Sequence, residues 1–150
     1  MDYKNAAKKL IVYSRSLAKG SLNTVQGLAL GETPVLHYLS TKDKDATTSP
    51  SELASQLGYT RARMTRILDS LEVKGYIMRR QDDSDRRRII VQATEAGRTF
   101  SGEKDSEAVS AVEALINDLG EHDTQELIRI LQKGYKITYG DHSPDDLDLP

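Results

Sequence analysis

The stretch SPSELASQLGYTRARMTRILDSLEVKGYIMRRQDDSDRRRIIVQATEAGR, residues 49–98, decides the fold of this 150-residue chain. Ser49 and Pro50 are a favoured helix start, because the serine side chain can cap the helix and proline suits its first turn. Gly58 ends this short helix, and Thr60 caps the next one. Apolar residues then recur at helical spacing, which predicts one buried face. They are Met64, Ile67, Leu68 and Leu71.

Two short segments with strand-forming residues follow this second helix. YIMRR (76–80) and RRIIVQA (87–93) flank a polar loop, and together they predict a β-hairpin. A short helix, a tight turn, a longer helix and a hairpin make the layout of a winged helix-turn-helix.

Helices are predicted on both sides of this layout. The fold class is therefore mostly α with a small β-hairpin wing (α+β), a winged helix-turn-helix flanked by N- and C-terminal helices. The last ten residues hold four acids and no base, which predicts a disordered acidic tail over 141–150. The flanking elements are a helix over 3–19 that stops at Gly20, a loop or broken helix over 21–31, a helix capped by Thr33 with Pro34 in its first turn, a long helix from Thr94 to about Leu119 and a last helix capped by Asp123.

Composition favours helices that pack through aliphatic side chains. Hydrophobic residues make up 37% of the chain and aromatic residues only 5%, with one Phe and no Trp. No apolar run reaches the length that spans a bilayer, and the N-terminus lacks the apolar core of a secretory signal. The absence of cysteine excludes disulfides, thiolate zinc sites and cysteine redox chemistry. These features predict a soluble, cytoplasmic protein without a membrane partner.

The charge of the chain is unevenly distributed. The net charge is −2, yet nine Lys or Arg and five Asp or Glu lie between Arg61 and Arg88, a local excess of four positive charges. Such a basic block is typical of a surface that binds a polyanion. A solvated surface of salt bridges is the alternative explanation.

The second helix of the motif presents a polar outer face. Arginine can bond guanine with two hydrogen bonds, threonine and alanine can contact thymine methyl groups, and the helix N-terminus can hold a phosphate. The composition of this face suits a helix in the major groove of DNA, although an ordinary solvated face is the alternative. Its members are Thr60 and Arg61 at the N-terminal end, Ala62, Thr65, Arg66 and Asp69 opposite the apolar stripe, and Arg63 on one flank.

The hairpin loop concentrates opposite charges at its tip. Arg86 and Arg87 can reach phosphate and the minor groove, whose negative potential attracts arginine. Asp85 lies two residues before Arg87, on the same side of an extended chain. We expect a charge-assisted bond from the Asp85 carboxylate to orient the Arg87 guanidinium. Soluble turn residues without a partner are the alternative.

Residues 49–98 resemble the MarR family of bacterial and archaeal transcriptional regulators. One departure is Ala93, where the family usually carries leucine. The matching motifs are Leu53-Ala54 with Leu57 in the first helix, Leu71-Glu72 with Gly75, Ile77 and Arg79 at the end of the second, Asp85 and Arg87 in the wing, and Thr94 with Gly97 opening the next helix.

The resemblance implies a homodimeric regulator, expected to act as a repressor, bound to a palindromic operator in double-stranded DNA. It assigns 1–32 and 100–140 to a helical dimerisation region and 33–99 to the DNA-binding domain. It implies that the two recognition helices lie roughly 34 Å apart. By position, Arg87 resembles the minor-groove arginine and Asp85 its support. Further DNA contacts are implied for Thr60, Arg61, Arg63, Thr65 and Arg66 in the recognition helix, Arg86 in the wing, and Ser49 and Ser51 near phosphate.

The resemblance also implies a small aromatic or phenolic effector. Four side chains place polar tips on otherwise apolar helices and are candidates to bind it, with ordinary packing as the alternative. They are Tyr13, Arg15, His37 and Tyr38.

Other chemistries find little support in the sequence. His37, His122 and His142 are scattered without metal-ligand spacing, and a solvated tail explains His142 near Asp145 and Asp146 better than a cation site does. No cofactor motif or catalytic constellation indicates an enzyme. A winged-helix adaptor for protein partners is the remaining alternative, but an adaptor usually presents apolar or aromatic anchors where this chain has arginines.

Overall fold

The computed structural model describes residues 1–20, 22–28, 31–44 and 46–141. The chain is mostly helical with one two-stranded antiparallel sheet, which confirms the predicted fold class. No helix in these ranges is long and apolar enough to cross a membrane. The elements are α1 (Tyr3–Lys19), α2 (Asn23–Leu28), α3 (Thr33–Thr41), α4 (Pro50–Gln56), α5 (Arg61–Val73), β1 (Ile77–Gln81), β2 (Ile89–Ala93), α6 (Glu95–Leu119) and α7 (Glu121–Tyr139).

The chain divides into two compact units. The first unit combines Met1–Gln26 with the helical residues that follow Asp105, and the second, the winged unit, is Gly27–Asp105. Helix α6 belongs to both units because it runs from Glu95 to Leu119 without a break. The dimerisation role assigned to 1–32 and 100–140 stays a prediction.

The core of the winged unit is built from the aliphatic stripes of α3, α4 and α5 together with one buried residue from each strand. The predicted stripe of α5 is buried at all four positions. Burial of an aliphatic side chain contributes about 1.5–3 kcal/mol, so this face fixes the helix against its neighbours. The fully or nearly fully buried members are Val35, Leu36, Leu39, Leu53, Met64, Leu68, Leu71, Ile77 and Val91.

The helix-turn-helix begins and turns where the sequence predicts. Ser49 caps α4 through a capping box, in which the side chains of Ser49 and Glu52 each bond the other's backbone N–H. Gly58 lies between the two helices with φ +63°, a conformation that glycine adopts without strain. Thr60 caps α5, and its Oγ1 accepts a hydrogen bond from the Arg63 backbone N–H at 3.2 Å.

The start of α6 is packed closely against the turn that follows α5. Thr94 Oγ1 donates to the Gly75 carbonyl at 2.7 Å and accepts from the Gly97 N–H at 3.1 Å. A Cβ at Gly97 would lie 2.0 Å from the Tyr76 carbonyl oxygen, so only glycine fits there. Hydrogen bonding therefore accounts for threonine at 94, and close packing accounts for glycine at 97.

Several predicted boundaries are wrong by a few residues. Residues 23–28 form a short helix, which agrees with the second of the two alternatives for 21–31, a loop or a broken helix. Thr33 lies inside α3, whose N-cap is Glu32, because Pro34 is tolerated anywhere in the first turn. Helix α7 begins at Glu121 after Gly120, and Asp123 lies in its first turn, where a negative charge suits the positive end of the helix dipole.

The remaining differences concern the strands and the tail. The strands cover 77–81 and 89–93, so Arg87 and Arg88 lie in the connecting turn rather than in β2. The predicted acidic tail lies outside the described residues, apart from Asp141.

Candidate nucleic-acid interface

The outer face of α5 carries cations with no internal counter-charge. Arg61 and Arg66 are exposed, and within the described ranges neither guanidinium has a hydrogen bond or an ion pair. Arg63 lies over the Tyr59 ring at 3.9 Å, a cation–π contact on the flank of the helix. Thr65 is exposed too, and its hydroxyl donates to the Arg61 carbonyl at 2.9 Å.

The one acid on this face is neutralised by the hairpin. Arg79 from β1 places its guanidinium 2.7 Å from an Asp69 oxygen and 3.6 Å from a Glu72 oxygen. This pairing joins the recognition helix to the wing. It also removes a negative charge that would repel a phosphate backbone.

The wing turn, residues 82–88, separates its three arginines into two kinds. The Arg88 guanidinium donates to both carboxylate oxygens of Glu52, at 2.8 and 3.0 Å, and to the Thr47 carbonyl at 3.1 Å. Arg86 and Arg87 are exposed, and their guanidinium groups have no partner among the residues that the structure describes. The arginine run therefore contains one internal ion-pair residue and two available cations.

Asp85 acts on the backbone of the turn, which corrects the predicted contact. Its Oδ1 accepts a hydrogen bond from the Arg87 backbone N–H at 3.0 Å, and its carbonyl accepts from the Arg88 N–H at 2.8 Å. We expected the carboxylate to bond the Arg87 guanidinium instead. A short aspartate side chain reaches the N–H two residues ahead more easily, because this geometry is an Asx turn.

Asp82 stabilises the base of the same turn. Its carboxylate is largely buried and accepts hydrogen bonds from the Ser84 hydroxyl at 2.6 Å and the Ser84 N–H at 2.8 Å. These bonds from Ser84 hold the pKa of Asp82 below its ordinary value. The acids of the wing thus shape its backbone and leave two tip arginines available to an external anion.

The two serines predicted near phosphate differ in availability. Ser49 is half-buried and occupied by the capping box, since its N–H donates to a Glu52 oxygen at 2.7 Å. Ser51 is exposed in the first turn of α4. The bond from the Ser49 backbone is the main reason why the pKa of Glu52 is lowered, and Arg88 adds to it.

A mostly apolar cavity of about 410 Å³ lies between the recognition helix and the wing. It shows that the Thr65 side of α5 and the wing strands border one space. Its lining residues are Pro50, Thr65, Leu68, Arg79, Arg80, Gln81 and Ile89.

The four predicted effector residues fall in different units. Tyr13 and Arg15 are exposed on α1 in the first unit, whereas His37 and Tyr38 lie on α3 in the winged unit. The Nδ1 atom of His37 is 3.2 Å from an Asp105 oxygen. Tyr38 is half-buried and has the Lys42 ammonium 4.5 Å from its ring centre. An effector role for all four stays a prediction.

The described part of the chain offers no cluster of metal ligands. No group of three or more His, Cys, Asp or Glu side chains there could hold a metal ion. His142, Asp145 and Asp146 lie outside the described residues.

Sequence reasoning missed the contact between Arg88 and Glu52. The capping pattern of Ser49 followed by Glu52 is a visible local signal. The partner of Glu52 is 36 positions away, and no local pattern reveals it.

Comparisons with known proteins agree on one family. The MarR family model matches residues 34–89. The transcriptional repressor MprA of Escherichia coli K12 is 51% identical over 51 residues, which are 34% of this chain and 29% of MprA. The chain spans about half or less of the length of the curated relatives it matches.

Solved structures share the fold at low identity. YusO from Bacillus subtilis superposes with a TM-score of 0.71 at 19% identity, covering 89% of this chain and 94% of YusO. A mutant of MepR from Staphylococcus aureus bound to an oligodeoxyribonucleotide gives 0.63 at 18% identity, covering 89% and 97%. Residues 34–89 thus match the MarR family, and the chain shares its winged helix-turn-helix fold with these solved structures.

Proposed function

We propose that the chain is a sequence-specific DNA-binding transcriptional regulator. The observation that carries this proposal is the set of available arginines on the recognition helix and the wing. Arg61, Arg66, Arg86 and Arg87 have no counter-charge within the described residues, whereas Arg79, Arg80 and Arg88 beside them are paired. A solvated surface of salt bridges would pair these arginines as well.

Each available arginine suits a defined part of a DNA duplex. Arg61 and Arg66 lie on a helix whose exposed face also offers Ala62 and Thr65, a composition suited to base edges in the major groove. Arg87 lies at the tip of a hairpin and suits the narrow minor groove beside it. The relative MepR, whose mutant is bound to an oligodeoxyribonucleotide, supports the same class of partner.

The regulator is further proposed to be a homodimer on a palindromic operator. Helices α1 and α7 have no buried residue in this single chain, although both are amphipathic. Large exposed apolar faces need a partner surface, and a second copy supplies an identical one. The exposed side chains include Leu10, Val12, Tyr13, Leu127, Ile130, Leu131 and Ile137.

The proposed sign of regulation is repression, relieved by a small aromatic or phenolic effector. The relative MprA is named a repressor. An effector that prefers a dimer with differently spaced winged units would shift the population away from DNA. Tyr13, Arg15, His37 and Tyr38 are the proposed contacts, and thermal stabilisation by salicylate, lost in Tyr38→Ala, is the test. Such a regulator would work in the cytoplasm, where chromosomal DNA lies.

A winged-helix adaptor for protein partners is the second candidate. Exposed Val73 at the end of α5 is the apolar anchor that favours it. Met78 and Ile89 in the wing strands are the other large apolar side chains exposed among the described residues of this unit. A protein interface usually has a cluster of apolar or aromatic residues at its centre, and these three residues include no aromatic side chain. DNA binding is therefore the better-supported function.

A salt series tests the proposal directly. Binding of the purified protein to the DNA upstream of its own gene is compared with binding to a scrambled duplex of equal length. We expect tighter binding to the upstream DNA and a steep fall of affinity with salt, because several phosphates are contacted. Absence of binding to any duplex at low salt would refute DNA binding and favour the adaptor.

A further inference from the structure

Arg88 lies where the wing meets the first helix of the helix-turn-helix. Its guanidinium bonds both Glu52 oxygens and the Thr47 carbonyl, and it lies 3.9 Å from an oxygen of the buried Asp82. Its side chain is only 37% exposed. The residue therefore contacts α4, the loop before α4 and the base of the wing turn at once.

The Glu52 carboxylate is itself held in place. One of its oxygens accepts the Ser49 N–H at 2.7 Å, which completes the capping box of α4. A single guanidinium nitrogen of Arg88, Nη2, bonds both Glu52 oxygens and the Thr47 carbonyl, so three acceptors from two segments hold it. The Arg88 guanidinium is thus positioned relative to the first turn of α4, not merely near it.

The backbone of Arg88 closes the turn that carries the tip arginines. Its carbonyl accepts the Asp82 N–H at 3.0 Å, and its N–H donates to the Asp85 carbonyl at 2.8 Å. Arg86 and Arg87 lie between these bonds. Any displacement of Arg88 therefore displaces both of them.

We propose that Arg88 is a positioning residue, whose ion pair with Glu52 fixes the wing turn against α4 and thereby presents Arg86 and Arg87 to DNA. The inference rests on the proposed function. Its physical basis is entropic, because a turn that is already ordered loses less conformational freedom when DNA binds. Arg88 itself is occupied by Glu52 and does not contact phosphate.

A double-mutant cycle between Arg88→Gln and Arg87→Ala tests this role. Arg87→Ala should weaken binding to the operator duplex about tenfold in the wild-type background and less than about threefold in the Arg88→Gln background, because contacting groups that act together are not additive. Additive losses of affinity would overturn the proposal, because they would mean that Arg88 contacts DNA independently. The same conclusion would follow if Arg88→Gln, made in the Arg87→Ala background, lowered the salt dependence of binding.

Two further variants separate the ion pair from its surroundings. Glu52→Gln keeps an acceptor for the capping box but loses the charge, so it should reproduce the effect of Arg88→Gln. Arg80→Gln removes a wing arginine that pairs within the hairpin, with Asp83 and Gln92, and should be additive with Arg87→Ala. Thermal unfolding checks that each variant is folded.

Amide hydrogen exchange in the free protein measures the turn without DNA. The backbone amides of residues 82 and 88 should exchange faster in Arg88→Gln and Glu52→Gln than in wild type and Arg80→Gln. Unchanged exchange overturns the inference. A wild-type protein that binds no duplex overturns the proposed function and this inference together, whereas a binding wild type with an additive Arg88–Arg87 cycle overturns the inference alone.

Discussion

The two units of the chain have helices with the same apolar periodicity, but the apolar stripes are buried in one unit and exposed in the other. In the winged unit the apolar stripes of α3, α4 and α5 are buried within the chain, and Leu53 is 0% exposed. In the first unit α1 and α7 have equally regular stripes, yet Leu131 is 62% exposed and Ile137 78% exposed. An amphipathic pattern therefore predicts one apolar face of a helix. It does not predict whether residues of the same chain bury that face.

The largest expected effect comes from leucine truncation in each unit. Leu53→Ala removes a fully buried side chain and should lower the free energy of unfolding by about 2–5 kcal/mol. Leu131→Ala should cost a comparable amount if a second copy covers α7, and the unfolding midpoint should rise with protein concentration. Chemical denaturation at two protein concentrations measures both effects. A Leu131→Ala loss below about 0.5 kcal/mol with a constant midpoint contradicts the homodimer.

Two glycine-to-alanine substitutions, one in each unit, compare the effect on stability of adding a single Cβ atom. Gly97→Ala should lower the free energy of unfolding by about 1–3 kcal/mol, because the new Cβ meets the Tyr76 carbonyl at 2.0 Å. Gly134→Ala in α7 meets nothing within 4 Å, so in a single chain it should raise stability by about 0.4–1 kcal/mol. Thermal or chemical unfolding gives both values. A loss at Gly134 as large as at Gly97 places a partner backbone against that face of α7.

The next prediction concerns the DNA affinity of variants in the wing turn and of a control on α7. Arg87→Ala should weaken binding to a specific duplex about tenfold, since one groove contact is lost. Lys133→Ala, an exposed cation on α7, is the control and should leave affinity unchanged. Asp85→Ala should weaken binding less, because it removes one backbone hydrogen bond of the turn and no DNA contact. Fluorescence anisotropy at fixed salt measures all three, and equal affinity for wild type and Arg87→Ala removes the wing from the interface.

The smallest expected effect is the pH dependence that comes from Glu52. Its folded-state pKa is lowered from 4.5 by the Ser49 and Arg88 bonds, so the ionised form stabilises the fold above pH 4.5 and that contribution is lost as pH falls through the lowered pKa. The thermal midpoint of wild type should exceed that of Glu52→Gln at pH 7, and the gap should narrow steadily as the pH falls below 4.5. A gap that does not change as the pH is lowered contradicts this account.

The local features of the fold were predictable from the sequence because their causes are local. The caps Ser49 and Thr60 bond N–H groups three residues ahead, and the stripe that begins at Met64 repeats within two helical turns. The outward face of α5 follows from the same periodicity. These relations are contained in windows of a few residues.

The pairing of charges was not predictable from the sequence. Asp69 was expected on the outer face of α5, but its neutralisation by Arg79 depends on where β1 packs. Among three consecutive arginines, only the tertiary structure identifies Arg88 as the partner of Glu52. The interface is therefore defined as much by the arginines that the fold occupies as by those that it leaves available.

The Asx turn at Asp85 has a consequence for limited proteolysis. The exposed Arg86 and Arg87 make the wing tip a tryptic site, but trypsin needs an extended segment, whereas the Asp85 bonds fold the backbone at Arg87 and Arg88 into a turn. Cleavage of the free protein must then wait for the turn to open. The rate at which trypsin cuts between Arg86 and Arg88 therefore measures how often the wing turn opens from the conformation that presents these arginines to a partner.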